Sequence, residues 1–264
     1  MVIGWLQREL AGGNQSAWGL VEATQRSVQL PCLLVPQPAH AVLAGAIADG
    51  LRPEIFGELA PEIKRAIQMH DTGWAASDAQ QIQRLRAEGP HAGKAAPVSF
   101  VAVPPAETVE AWTASIESVE TLSRVGAILV SRHFCLLAQQ HLVPHQKFVE
   151  GEKLRQRRLE GSTLQSGQKP GADELDRWTA ALGFCDLVSL YLLCGLHREV
   201  EFPLAHPASV EARTAPRVKM QRQERALQFS PETVRPGCIL TIQALVHPVP
   251  KQGPRAETLT WEVQ

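Results

Sequence analysis

Apolar residues recur at helical spacing through the middle of the chain, and this pattern predicts most of its architecture. The spacing predicts helices over residues 39–51, 61–71, 107–123, 125–140 and 173–193. The segment 125–140 is apolar almost all round, which is typical of a helix buried on every side. Pro38 can occupy a first helical turn without losing a hydrogen bond, and Gly73 is predicted to end the second helix in a left-handed conformation.

The two ends of the chain show a different pattern. Residues 1–35 are predicted to form short strands joined by loops. Near the C-terminus, apolar and polar residues alternate over 240–246 and 259–263, which predicts the two strands of a hairpin. The proline-rich stretch 75–106 is predicted to be a long irregular loop, and residues 161–171 a polar connector.

These elements predict an α+β fold class, with a mainly helical core and short β-strands contributed by the N- and C-terminal segments. We expect residues 1–264 to form a single domain, with the helical core over about residues 33–200 and β-rich segments at 1–32 and 201–264. Because 44% of the residues are hydrophobic, the chain can bury a sizeable core.

Composition and charge narrow the classes of function. Lys and Arg total 26 and Asp and Glu total 27, so the formal net charge is -1 and no nucleic-acid partner is expected. The longest strongly apolar run, 187–196, is much shorter than the roughly 20 residues needed to cross a bilayer, and the N-terminus lacks the layout of a signal peptide. The five cysteines form no Cys-x-x-Cys pair. We therefore expect a cytoplasmic protein without a membrane partner, and its oligomeric state stays open.

Four predicted helices carry an imidazole or a carboxylate on a face that is otherwise apolar. By i+3, i+4 and i+7 spacing, these residues are His40, His70, Asp71, His133 and Asp186. A single buried histidine is most often hydrogen-bonded to a backbone carbonyl. A buried carboxylate such as Asp186 is costly unless it is paired or binds a cation, and Arg132 is the main arginine that the nearby sequence offers.

A divalent metal ion would satisfy all of these groups at once. Neutral imidazoles and carboxylates bind ions such as iron, manganese, cobalt and zinc, and ligands on helices are held rigidly. The residues therefore indicate a divalent metal cofactor.

Among the remaining candidates, His141 and His145 are separated by Pro144 and are predicted to form a surface turn. Trp74 is predicted either to line the pocket or to pack in the core.

Four stretches of the sequence resemble known families. They are QPAHAVLAG (37–45), MHDTGW (69–74), AILVSRHF (127–134) and FCDLVSLYLLC (184–194), and together they resemble domain-of-unknown-function family 3891. The order of an early His, a His-Asp pair and a late Asp also resembles the HD-domain metal-dependent phosphohydrolases. The resemblance covers about residues 33–200. It implies that His40, His70, Asp71 and Asp186 bind the metal and that His133 lines the pocket. Unlike many of those phosphohydrolases, this chain has Trp74 in place of a lysine and shows no clear second histidine pair.

The same resemblance implies a metal-dependent hydrolase acting on a small, anionic substrate that is phosphorylated or nucleotide-like. In that reaction Asp71 would orient or deprotonate the attacking water, and His133 or Arg132 would neutralise charge on the leaving group. The predicted catalytic residues are therefore Asp71, His133 and Arg132. Two alternatives stay open: an iron-dependent oxygenase with two irons on the same scaffold, and a protein that binds a metal or ligand without catalysis.

Overall fold

The computed structural model describes residues 1–5, 16–27, 30–87, 96–140, 142–165, 170–196, 199–247 and 255–264. Within these ranges the middle of the chain is helical. The helices are α1 (Ala17–Arg26), α2 (Gln37–Gly50), α3 (Pro53–Phe56), α4 (Pro61–Met69), α5 (Ala75–Ala87), α6 (Pro105–Glu120), α7 (Arg124–Gln139), α8 (Leu142–Gln165) and α9 (Ala172–Leu193). Short 3-10 turns occupy Thr72–Trp74, Phe100–Ala102 and Val210–Arg213.

Strands from both ends of the chain join in one mixed sheet. They are β1 (Val2–Trp5), β2 (Cys32–Val35), β3 (Val200–Pro203), β4 (Arg217–Gln223), β5 (Ala226–Ser230), β6 (Ile239–His247) and β7 (Arg255–Val263). Their order is β1-β2-β6-β7-β5-β4-β3. Strands β5 and β7 pair in parallel, and the other neighbours pair antiparallel. The N-terminal strands join the C-terminal ones through β2 and β6, where Leu34 lies opposite Leu245. The predicted α+β fold class and the antiparallel pairing of β6 with β7 are confirmed.

Helix α9 lies at the centre of the core. Every residue from 181 to 193 is buried, and α9 contacts α2 and α7 as well as β1 and β3. One cluster of buried apolar side chains continues from these helices into the sheet. A polar side chain on α9 must therefore find its partners inside the protein. Over the described ranges, no helix is both long and apolar enough to cross a bilayer.

The structure corrects the sequence predictions where periodicity is weak. Residues 75–87, predicted as part of a loop, form α5, whose buried side chains are Asp78 and Leu85. Residues 17–26, predicted within strands and loops, form α1, and Ser16 caps this helix by accepting a hydrogen bond from the Gly19 N–H. Strands β3, β4 and β5 were not predicted, because each buries only two large apolar side chains in alternation, which is too short a pattern to predict a strand: Val200 and Phe202, Val218 and Met220, Leu227 and Phe229.

Candidate metal centre

His40 points into the core from the first turns of α2, and its hydrogen bonds fix the position of its proton. The Ser189 hydroxyl on α9 donates to the carbonyl oxygen of Asp186 at 2.8 Å, so it accepts from His40 Nδ1, also at 2.8 Å. A neutral His40 ring then has its lone pair on Nε2, which lies 2.9 Å from Asp186 Oδ1. Two acceptors face each other here, and only a proton or a metal ion resolves this conflict.

His70 follows the last turn of α4 and repeats this arrangement. Its Nδ1–H donates to the carbonyl oxygen of Ile67 at 2.8 Å. Its Nε2 is buried without a hydrogen-bond partner, although it lies 3.6 Å from Asp71 Oδ2 and 3.5 Å from Asp186 Oδ1. A buried nitrogen that has no hydrogen-bond partner and lies beside two carboxylates fits a metal-ligand position. The contact of Nδ1 fits it too, because a ligating histidine usually donates its other N–H to a carbonyl or carboxylate oxygen.

The structure brings the predicted metal ligands together. His40 Nε2 lies 3.6 Å from Asp71 Oδ2. Ligand atoms of His40, His70 and Asp71 lie within 4.8 Å of one another, and so do those of His70, His133 and Asp186. Imidazole nitrogens and carboxylate oxygens in this combination fit iron, manganese, cobalt or zinc. These buried groups could therefore hold a metal ion.

Burial and mutual attraction shift the pKa values of the cluster in opposite directions. Burial raises the pKa of the Asp71 carboxyl above its usual value. Burial also disfavours ionised Asp186, but interactions with His40 and His70 hold the pKa of Asp186 well below its usual range. Burial alone would lower the pKa of His70, but the negative charges of Asp71 and Asp186 outweigh it and raise this pKa to about 9. In the metal-free protein, a proton on His70 thus supplies the positive charge that a cation would bring.

His133 on α7 faces the same cluster and is joined to a second histidine. His133 Nδ1 lies 2.8 Å from His206 Nε2, and His133 Nε2 lies 3.7 Å from Asp186 Oδ2. Burial lowers the pKa of His133 well below its usual value and that of His206 to about 4, so both rings are neutral near pH 7. Sequence reasoning missed His206, because it lies in a turn after β3 where no periodic pattern marks a buried residue.

Two other residues lie elsewhere than the sequence predicted. The guanidinium of Arg132 pairs with the Asp176 carboxylate, and Arg132 does not line the cavity beside the cluster. Neighbouring helix residues point about 100° apart, so Arg132 points away from the cluster when His133 points toward it.

His145 is buried in the first turn of α8 and packs against the ring of Trp112. The prediction of a surface turn is therefore wrong at His145, because a proline is tolerated in a first helical turn, and His141 lies outside the described residues.

A cavity of about 650 Å³ lies beside the cluster. His40, Asp71, His133 and Asp186 form part of its wall. Much of the remaining wall is aromatic or aliphatic, including Trp18, Trp74, Phe100, Trp112, Phe134 and Leu190. Trp74 both lines this cavity and packs in the core, since only 2% of its surface is exposed. The cavity can hold a small organic molecule next to the carboxylates.

The turn that carries His70 and Asp71 packs closely against α6. The Gly73 N–H donates to Ser115 Oγ at 2.9 Å. A Cβ at position 73 would lie 2.7 Å from Ser115 N and even closer to the carbonyl oxygen of Ala111. Gly73 does not adopt a positive φ, so the predicted left-handed conformation is wrong. The glycine is instead required by the close approach of two backbones.

We expect Gly73→Ala to lower the free energy of unfolding by about 1–3 kcal/mol, because a new methyl group must displace backbone atoms of α6. Denaturant unfolding measures this difference. Gly151→Ala is the matched control, since a Cβ at that helical position meets nothing within 4 Å, and alanine favours helix. Equal stabilities for the two variants would contradict the steric explanation.

Comparison with known proteins adds one match. The profile of a family described as "Protein of unknown function (DUF3891)" matches residues 24–237, which include all five clustered residues and His206. No curated protein and no solved structure matches the chain.

Proposed function

Since the chain belongs to the DUF3891 family of unknown function, we propose a function from its own site. We propose that this protein is a hydrolase that uses one divalent metal ion to cleave a phosphoester of a small, nucleotide-like compound. The observation that carries the proposal is the buried Nε2 of His70, which has no hydrogen-bond partner and lies beside the carboxylates of Asp71 and Asp186. Both carboxylates line the cavity. The resemblance of the residue order to the HD-domain phosphohydrolases supports the reaction class.

The hydrogen bonds of the cluster prepare each residue for its role. His40 and His70 would bind the ion through Nε2, because Nδ1 of each ring donates to a fixed acceptor. Asp71 and Asp186 would complete the ligand set. A divalent ion bound there would polarise a phosphoryl oxygen and lower the pKa of a bound water. Asp71 borders the cavity, where it would orient the attacking water and accept its proton. His133 donates a hydrogen bond to charge that develops on the leaving group.

The residues that line the cavity favour a substrate with an aromatic ring and a low net charge. The partly exposed rings of Trp18, Phe100 and Trp112 line the cavity and offer stacking surfaces for a nucleobase or a similar ring. A divalent ion would be neutralised by its two carboxylate ligands. Among the described lining residues, Arg26 is the sole arginine or lysine, and its guanidinium is paired with Glu22 at 2.6 Å. A phosphodiester with one negative charge therefore suits this site better than a dianionic monoester.

We expect the manganese-restored protein to hydrolyse bis(p-nitrophenyl) phosphate with a kcat/KM at least about tenfold above that for p-nitrophenyl phosphate. A second uncompensated charge in this partly desolvated cavity costs more than about 1.4 kcal/mol, which corresponds to that factor. Release of p-nitrophenol at pH 8 measures both reactions. Both substrates release the same p-nitrophenolate, but bis(p-nitrophenyl) phosphate has a second ring as well as one negative charge fewer. Methyl p-nitrophenyl phosphate, a monoanionic diester with a single ring, is therefore compared alongside and isolates the charge.

Asp186→Ala serves as the inactive control, since it removes a proposed metal ligand and leaves the apolar residues that line the cavity unchanged. Absence of turnover of both compounds by the parent with one bound ion would overturn the hydrolase proposal. Preference for the dianionic monoester would overturn the charge argument alone.

A second candidate function is an iron-dependent oxygenase with two ions. It is favoured by His133, which forms a second group of possible ligands with Asp186 and His70, although the single free nitrogen of His70 can serve one ion only. An iron content near two per chain, together with oxygen consumption, would support this candidate over the hydrolase.

A further inference from the structure

The turn after β3 places His206 against His133, and this contact determines which nitrogen of His133 carries the proton. We infer that His206 holds His133 in the Nε2–H form, so that His133 is a hydrogen-bond donor at the cavity and not the ligand of a second ion. His206 is then a positioning residue supplied by the segment that follows the helical core. The role of His133 in turnover rests on the proposed function, whereas the position of its proton does not.

The proton positions follow from a chain of hydrogen bonds that begins at the backbone. The N–H of Ala208 donates to His206 Nδ1 at 3.2 Å. Because that nitrogen accepts, a neutral His206 ring carries its proton on Nε2. This Nε2–H donates to His133 Nδ1 at 2.8 Å. A neutral His133 ring therefore carries its own proton on Nε2, which lies 3.7 Å from Asp186 Oδ2. His133 lines the cavity.

In the other two histidines of the cluster, the proton of the neutral ring lies on the other nitrogen, Nδ1. In His40 and His70, Nδ1–H donates to Ser189 Oγ and to the carbonyl oxygen of Ile67, so the neutral form of each ring, which is the form that can bind an ion, has its lone pair on Nε2. To bind an ion through Nε2, His133 would need its proton on Nδ1. That proton would face the Nε2–H of His206 across 2.8 Å, which places two donors against each other. The hydrogen bonds thus favour one ion, bound by His40 and His70, with His133 as a donor beside it.

The packing of α9 makes room for this contact. A Cβ at Gly183 would lie 2.6 Å from Cδ2 of His206 and 2.7 Å from Cδ of Pro207. His206 is 4% exposed, so its ring is enclosed once it has entered this space. Gly183 therefore lets the segment after β3 reach the cluster of histidines and aspartates. An alanine at this position would push the imidazole of His206 away from His133.

The test is nitrogen NMR of the zinc-loaded protein with 15N-labelled histidine. The protonated and the unprotonated nitrogen of a neutral imidazole have well-separated chemical shifts, and a mixture of tautomers gives intermediate values. His133→Ala identifies the His133 signals by their loss. The parent is expected to show His133 as the Nε2–H form. His206→Ala and Gly183→Ala are expected to shift it toward a mixture of tautomers, and His206→Gln to restore the parent form, because its amide N–H can donate to Nδ1. A parent spectrum with His133 as Nδ1–H or bound to zinc overturns the inference, even if a variant fails to fold. So does a His133 signal that is unchanged in His206→Ala.

Zinc content and turnover separate this inference from the proposed function. His206→Ala is expected to keep one zinc ion per chain and to lose about tenfold or more in kcat, with the loss recovered in His206→Gln. Loss of zinc in His206→Ala as complete as in His70→Ala would make His133 a ligand and overturn the inference. A parent that shows the Nε2–H form but hydrolyses no phosphoester would overturn the proposed function and leave the tautomer assignment intact.

Discussion

Asp186→Ala is expected to lose its bound metal and to bind divalent ions at least about a hundredfold more weakly than the parent. Removal of a group that merely supports a ligand already costs up to that factor, and Asp186 is placed as a ligand itself. Its carboxylate lies 2.9 Å from His40 Nε2 and 3.5 Å from His70 Nε2. No neighbouring carboxylate except that of Asp71 reaches both rings within the described residues. Elemental analysis after dialysis and competition with a metal-binding dye measure the loss.

Asp173→Ala is the matched control, because Asp173 lies exposed in the first turn of the same helix. Asp78 is unsuitable, although it was predicted to lie in a loop. It is buried on α5, accepts a hydrogen bond from the Gln37 N–H at 2.6 Å and pairs with the amino group of Met1 at 3.0 Å. Asp186→Asn keeps the size of the side chain, so its metal content provides the same test if the alanine variant does not fold. Equal metal content in all of these proteins would contradict the assignment of Asp186 as a ligand.

The helices that carry the cluster could be predicted because their sequence pattern is local. A polar residue on an apolar face, such as His40 on α2 or Asp186 on α9, conflicts with burial, and this conflict is visible without a structure. The same logic fails for α5, where Asp78 and Leu85 are the buried residues, so no apolar face appears in the sequence. It also fails for the order of the strands, because β2 pairs with β6 across most of the chain.

The parts of the site that sequence reasoning missed depend on contacts between distant segments. His206 reaches His133 because β3 pairs with β4 and because position 183 has no side chain. Neither condition leaves a periodic signal near residue 206. Arg132 is predicted at the site from its charge and its position next to His133, but the direction of its side chain depends on the helix phase and on Asp176. Residues that conflict with their own helix can thus be predicted from the sequence, whereas residues whose role depends on another element cannot.

Metal binding is expected to tighten about tenfold per pH unit as the pH rises toward about 9. In the metal-free protein the carboxylates of Asp71 and Asp186 raise the pKa of His70 to about 9, so His70 is protonated at neutral pH. An ion that binds His70 Nε2 must displace this proton, and its apparent affinity therefore rises with pH until the group is deprotonated. Calorimetric titration with manganese between pH 6.5 and 8.5 measures the slope. Repetition in buffers of different ionisation enthalpy counts the protons released.

The same raised pKa determines how stability changes with pH once the metal is removed. A histidine whose pKa is higher in the folded than in the unfolded state stabilises the fold fully below its unfolded value, about 6.5, and this stabilisation is lost as the pH rises through about 9. Chelator-treated protein should therefore lose stability from this group over that window. Metal-loaded protein, in which the ion replaces the proton, should not follow this change, so the difference in melting temperature between the two forms should grow from pH 6.5 to pH 8.5. A constant difference, with no proton released on binding, would mean that His70 is neutral in the metal-free protein and that the carboxylates do not hold a proton there.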